Sequence, residues 1–374
     1  MLYVSKNDFL KIFDNKNPPK TFQDFLKKAQ VRNGSRIRPL KEYIQTNNIP
    51  IEKVKILYDN IIHKNEYLER FYDTSLKIPE KGLKITDKAM KKNEMNNNVL
   101  VNYKNIIRNI FYIEILKETK SGIPNVPTYM DVLEDLYIRN IIEYKILTPS
   151  SLHYIENGRL GSVFSSFYFR ASIMNPYLVY SLNHKLLKAK RVFTPTLGWG
   201  SYYFGFSESG IDEYVGTDVI PSVCNKTRVY ADNYYKNIQT NIYCSPSEDL
   251  LKDKIFLRKY KNHFDVVFFS PPYYKLELYP GGDNQSTERY NTYEEWLAEY
   301  WKKTIMLCYH VLEEKGKLCY ILSNYGSHTN LLDDMNSITK TLFTQKSSQP
   351  MFNKNVHVTE HRETNEMIMI FTKN

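Results

Sequence analysis

The chain reads as an α/β protein: a doubly wound parallel sheet preceded by an N-terminal helical domain. Three observations predict this. The back half alternates short apolar, β-branched or aromatic runs with helical segments, which is the pattern of successive βα units. Four of those runs end in glycine, acidic, polar or proline turns, and such turns gather at the carboxyl edge of a parallel sheet. The front half instead shows apolar residues at helical spacing in Ile51 to Tyr72, Val99 to Thr119 and Met130 to Tyr144, as expected of amphipathic helices in a bundle. The expected division is 1–150 for the basic helical domain and 151–374 for the sheet domain.

The elements follow in order. Thr86 to Asn98, rich in Lys, Asn and Met, predicts a flexible linker between two helices. Asn175-Pro176-Tyr177 opens an apolar helix through Leu182. Arg191 to Thr194 reads as a first strand, and Pro195-Thr196-Leu197-Gly198-Trp199-Gly200 as the glycine turn after it. Glu213 to Asp218 is a second strand with a carboxylate at its end, the place where nucleotide-binding sheets put an acid on the ribose hydroxyls. Thr240 to Cys244 is a third strand, followed by the polar turn Ser245-Pro246-Ser247-Glu248.

Phe264 to Phe269 is a buried fourth strand, stopped by Ser270-Pro271-Pro272-Tyr273. Two consecutive prolines remove two backbone donors and fix φ, so the chain leaves the sheet as a stiff, extended turn. A long polar loop, Tyr274 to Tyr290, then leads to a helix from about Thr292 to Leu312. Lys317 to Asn324 is a fifth strand, and Thr344 to Phe352 with Glu366 to Thr372 is a closing antiparallel pair.

Ser270-Pro271-Pro272-Tyr273 resembles the (Asp/Asn/Ser)-Pro-Pro-(Tyr/Phe/Trp) motif of the S-adenosylmethionine-dependent amino-methyltransferases, which modify N6 of adenine or N4 of cytosine. The resemblance covers roughly residues 170–374 and implies a Rossmann-like seven-stranded methyltransferase sheet with an N-terminal helical domain. An exocyclic amino nitrogen is a poor nucleophile because its lone pair is delocalised into the ring. Two fixed acceptors for its hydrogens favour the tetrahedral form, and the resemblance assigns these to the Ser270 hydroxyl and the Pro271 carbonyl, with Pro272 stiffening the turn and Tyr273 stacking on the base. It likewise implies S-adenosylmethionine as cofactor, under which Pro195, Gly198 and Gly200 pass closely. Asp218 would take the ribose, Ser247 and Glu248 the adenine, and the Asn175 segment would cover the carboxylate end. Thr194, Thr196 and Pro246 depart from the family pattern, in which aspartate, phenylalanine and aspartate are common.

The long loop resembles the segment after the proline motif in a subset of phage and bacterial enzymes. It is expected to close over the target nucleotide, with Lys275 or Arg289 on a phosphate and Asn284 or Gln285 on a base edge.

Composition agrees with a nucleic-acid partner. Of the formal net charge of +10, residues 1–150 carry +8, from 26 Lys or Arg against 18 Asp or Glu. Lys27, Lys28, Arg32 and Arg36 lie in the densest basic stretch, a candidate phosphate-binding surface. DNA is favoured over RNA as the polymer, and a partner subunit or homodimer stays open. The cysteines Cys224, Cys244, Cys308 and Cys319 show no metal or redox spacing and read as reduced core residues. His357 and His361 read as surface histidines, and no metal is expected. The absence of a run of about 18 apolar residues predicts no membrane span and a soluble, intracellular protein. The abundance of Lys, Asn, Ile and Tyr suggests an A·T-rich genome, viral or phage among the options. A protein-glutamine methyltransferase and an inactive nucleic-acid-binding subunit of this fold remain alternatives, as do RNA as substrate and the choice between adenine and cytosine.

Overall fold

In the computed structural model, which describes residues 2–79, 84–324, 330–352 and 366–373, the chain divides into two units. Beyond the first two residues, one holds 3–77 with 112–171, and the other 78–111 with 172–374. The expected boundary near residue 150 therefore falls elsewhere, and the first unit is discontinuous in sequence. His357 and His361 lie outside the described residues.

The larger unit is built on seven strands. They are β1 (Arg191–Thr194), β2 (Glu213–Asp218), β3 (Gln239–Cys244), β4 (Phe264–Phe269), β5 (Leu312–Leu322), β6 (Phe343–Pro350) and β7 (Met367–Lys373). Their order in the sheet is β6-β7-β5-β4-β1-β2-β3. Strands β1 to β5 run parallel, and β7 is antiparallel to both β5 and β6. The fold is thus the Rossmann-like α/β sheet that the alternating pattern predicts, closed by an antiparallel pair.

Parallel strands covered on both faces must be apolar throughout. Five of the six β4 side chains are buried, and β2 shows the same run. Register sets which chain ends meet. Phe193 pairs with Val267 and Thr194 with Gly216, so β1, β2 and β4 finish close together. The core beyond β4 is aromatic: Phe269, Trp301, Tyr320 and Phe371 are fully buried and in ring contact.

Residues 84–98 form no free linker. Met90 N–H donates to Ser181 Oγ at 3.1 Å and Asn97 Nδ2 to the Ile173 carbonyl at 3.2 Å, while Ile85, Met90 and Met95 are buried. Apolar residues spaced along a polar segment, which composition alone hides, tie it to the sheet domain.

The smaller unit is not wholly helical. Gln30–Asn33 and Arg36–Pro39 form an antiparallel hairpin, and Ile141–Glu143 joins the first of these in parallel. The hairpin turns through Gly34, at φ +60°. Around it lie helices such as Ile51–Ile62, Lys64–Phe71 and Pro149–Glu156, packed through a core that includes Phe9, Phe25, Phe71, Tyr129 and Phe164. No helix among the described residues is long and apolar enough to cross a membrane.

Candidate active site

The sheet order reverses at β1, which has β2 on one side and β4 on the other. Crossovers leave such a point in opposite directions, so a crevice opens outside the carboxyl ends of the strands. A cleft lies there, with about 200 Å³ open to the centres of water molecules. Pro195, Thr196, Gly198 and Trp199 border it after β1, and Asp218 after β2. Ser247 and Glu248 follow β3, and Ser270, Pro271, Pro272 and Tyr273 follow β4.

The glycine turn has three successive residues in the left-handed region: Gly198 at φ +52°, Trp199 at +59° and Gly200 at +74°. An L side chain is strained there. Trp199 is held by burial and by its Nε1–H, which donates to the Ser172 carbonyl at 3.1 Å. A Cβ on Gly198 would come within 2.3 Å of the Tyr202 ring. Part of the glycine requirement is thus internal. Gly200 lies outside the cleft lining and serves the turn into the helix Ser201–Glu208.

Tyr202, which the motif reading missed, joins this turn to the proline motif. Its hydroxyl accepts the Ser270 N–H at 3.0 Å, and burial pushes its phenol up to about 12. Only its spacing, one helical turn after Gly198, hinted at such a role.

Asp218 accepts the backbone N–H of Leu197 through Oδ2 and of Ile220 through Oδ1, each at 3.1 Å. Burial raises its pKa above the usual carboxylate range, and these backbone bonds pull it part of the way back. Glu248 is also raised by burial, against the pull of Arg289 and Tyr290. Ser247 Oγ shares a hydrogen bond with Thr304 at 3.1 Å.

Ser270 Oγ–H donates to the Ile321 carbonyl on β5 at 3.1 Å. Its single proton is thereby committed, and its remaining capacity is as an acceptor. Among the described residues nothing donates to the Pro271 carbonyl. The Tyr273 hydroxyl is drawn inward beside Ser323 and Ser270, and burial raises its pKa.

Other predicted residues fall differently. Asn175 is fully buried and acts as a helix cap: its Oδ1 accepts the Tyr177 N–H at 3.1 Å, and its Nδ2 donates to the Val99 carbonyl at 2.7 Å. It does not border the cleft, although Ser172, Ile173 and Met174 just before it do. Arg289 is committed within the chain, bidentate to Asp249 at 2.8 and 3.0 Å and 3.4 Å from Glu248. A phosphate would have to displace both acids. Gln285 borders the cleft but donates its amide to the Pro280 carbonyl at 2.5 Å; Asn284 also borders it. Lys275 is exposed, away from the cleft and over the Tyr274 ring.

In the smaller unit Lys28 pairs with Asp24 at 2.9 Å and Arg32 with Asp135 at 3.0 Å. Lys27 and Arg36 are exposed. Cys224, Cys308 and Cys319 are buried, whereas Cys244 is exposed because it closes the edge strand β3.

Tyr300 also went unread. It lies in the wide turn Trp296–Trp301 that interrupts the long helix, borders the cleft, and is 4% exposed with no hydrogen-bond partner for its hydroxyl among the described residues. Wide turns of this kind re-aim side chains inside helices, and no residue pattern announces them.

No family model and no curated protein matches this chain. Among solved structures it is similar to a putative S-adenosylmethionine-dependent methyltransferase from Streptococcus mutans, at 10% identity and TM-score 0.40 over 55% of this chain and 52% of that one. It is similar to TrmN from Thermus thermophilus at 13% identity and TM-score 0.37, covering 53% and 49% of the two chains. It is also similar to the N-methyltransferase NodS from Bradyrhizobium japonicum WM9, at 9% identity and TM-score 0.34, covering 52% and 83%. The chain spans about half the length of the first two. At these values the similarities assign neither reaction nor substrate.

Proposed function

We propose that the protein transfers a methyl group from S-adenosylmethionine to the exocyclic amino group of a base in nucleic acid, N6 of adenine or N4 of cytosine, with DNA favoured over RNA. The observation that carries this reading is the state of Ser270. Its proton is spent on Ile321, so Ser270 Oγ and the Pro271 carbonyl stand as two acceptors on one cleft wall.

The cleft fits the cofactor. Among the described residues its lining contains Asp218, Glu248, Glu277 and Glu366 and no Lys, Arg or His, which suits a ligand bearing a sulfonium and an ammonium. The buried, unpartnered Tyr300 hydroxyl calls for a polar ligand group as well. Asp218 and Glu248 would hold the nucleoside end, with Gly198 leaving room beneath the amino-acid end. Bound there, S-adenosylmethionine supplies the methyl group and leaves as the thioether.

The chain's own part is positional and electrostatic. Ser270 and Pro271 accept the two amino hydrogens, bringing the nitrogen lone pair out of conjugation and toward the methyl carbon. As the N–C bond forms, the nitrogen becomes cationic and its two hydrogens bind these acceptors more strongly, so the pair stabilises the transition state over the ground state. The surplus proton then passes to solvent. The acidic lining repels phosphate, so only an uncharged base flipped from its strand enters. Phosphates would be met outside the cleft.

Incubation with labelled S-adenosylmethionine and double-stranded DNA, single-stranded DNA or RNA, followed by nucleoside mass spectrometry, tests this reading. N6-methyladenosine or N4-methylcytidine, in deoxy or ribo form, is the expected product. Methylation of a protein amide alone, or of none of these polymers, overturns it.

A further inference from the structure

We propose that Glu277 is the carboxylate that holds the ammonium group at the amino-acid end of the cofactor. The inference rests on the methyl-transfer reading and adds a binding residue to it. In the family that the motifs resemble, an acid at the end of the first strand is common; here that position is Thr194, which is fully buried, bonded to the Tyr214 hydroxyl at 2.6 Å and absent from the cleft lining. A cation brought into a water-poor cleft still needs an opposite charge.

Glu277 supplies one from another part of the chain. It borders the cleft and is 8% exposed. Its Oε1 accepts the Ser172 N–H at 3.0 Å and the Ser172 Oγ–H at 2.8 Å, and its Oε2 accepts the Tyr279 O–H at 2.5 Å. The Ser172 carbonyl in turn accepts Trp199 Nε1–H at 3.1 Å. The carboxylate is therefore fixed, through one intervening residue, to the glycine turn that passes beneath the amino-acid end. Three donors occupy three of its roughly four lone-pair sites, leaving a site on Oε2 for an ammonium.

The other acids are placed for different work. Asp218 sits at the end of β2 between two backbone donors, and Glu248 is engaged by Tyr290 and Arg289. Glu366 lies toward Tyr273, on the side of the proline motif. Asp218 also holds the glycine turn, but at its Leu197 N–H from the end of β2; of the four, Glu277 is the one joined, through Ser172, to the Trp199 side chain between the two glycines.

The test compares two ligands by calorimetry: S-adenosylhomocysteine, which carries the ammonium, and 5′-methylthioadenosine, which lacks the amino-acid part. Glu277→Gln should weaken the first by about 10- to 100-fold, the range for loss of a charge-assisted hydrogen bond, and leave the second within about twofold. Tyr279→Phe keeps the charge and should preserve most of the preference for S-adenosylhomocysteine. Tyr300→Phe, at the nucleoside end, should weaken both ligands alike. Equal loss of both ligands in Glu277→Gln, or no loss of either, overturns the role of Glu277 while leaving the methyl-transfer reading intact. Failure of the unaltered protein to bind either ligand overturns both.

Discussion

Ser270 shows how much one hydrogen bond decides. A serine hydroxyl can donate or accept, and the contact with Ile321 selects the acceptor role. Ser270→Ala should lower kcat by about 100-fold or more while S-adenosylhomocysteine affinity stays within a few-fold, read from steady-state rates and calorimetry; equal damage to both would remove Ser270 from the chemistry. Asp218 and Glu248 bring pH into play. Burial raises both folded pKa values, so their favourable contribution to folding is complete below the unfolded carboxylate range, near pH 4, and is lost as pH rises through the raised values. Cofactor hydroxyls and amines favour the ionised acids, so affinity should fall as pH drops through those same values, before ordinary carboxylates titrate. Calorimetry over a pH series that descends from neutrality toward the ordinary carboxylate range measures this, and Asp218→Asn should flatten the curve.

Among the elements, the loop after β4 departs most from expectation. It reads as a mobile cover with free basic and amide groups, yet Arg289 is bound to Asp249 and Glu248, Tyr290 donates to Glu248 at 3.1 Å, and Trp296 Nε1–H donates to Ser286 Oγ at 3.0 Å. Polar loops are legible as loops, but not the partners that their charges find. Arg289→Gln should cost about 1–2 kcal/mol in denaturant unfolding, since the pair is partly exposed, and should speed amide exchange over 285–290. The pH dependence follows from Asp249, whose pKa Arg289 holds below the usual range. That stabilisation is present above the unfolded carboxylate pKa and is lost as pH falls through the lower folded value. In Arg289→Gln this acid-range loss should be smaller; unchanged exchange and an unchanged acid limb would count against the loop's anchoring by this residue.

Over the whole molecule, the basic excess is shared by both units, while the acidic cleft lining belongs to the larger one. In the smaller unit Lys27, Arg36, Arg38 and Lys41 are exposed on or beside a short hairpin, whereas Lys28 and Arg32 are neutralised by neighbouring acids. Replacing those four exposed residues with Gln should weaken nucleic-acid binding and reduce the slope of log K against log salt by about one unit for each phosphate no longer neutralised. Replacing Lys28 and Arg32 should matter less. Fluorescence anisotropy across a salt series separates the two outcomes.

The sequence by itself determined the strands from β1 to β7, their turns and the convergence of those turns, because strand periodicity and Gly, Pro and Asp punctuation are local properties of the backbone. It also marked Ser270, Pro271 and Asp218 as residues at the ends of strands. Tertiary structure alone decided that the Asn175 amide is spent on the Val99 carbonyl, that Arg289 is spent on Asp249, that residues 84–98 are part of the sheet domain, and that Tyr202, Glu277 and Tyr300 face the cleft. Each of these depends on residues far apart in the chain finding one another. A charge, an amide or a hydroxyl carries no local mark of whether its partner will be a ligand, the solvent or another part of the same protein.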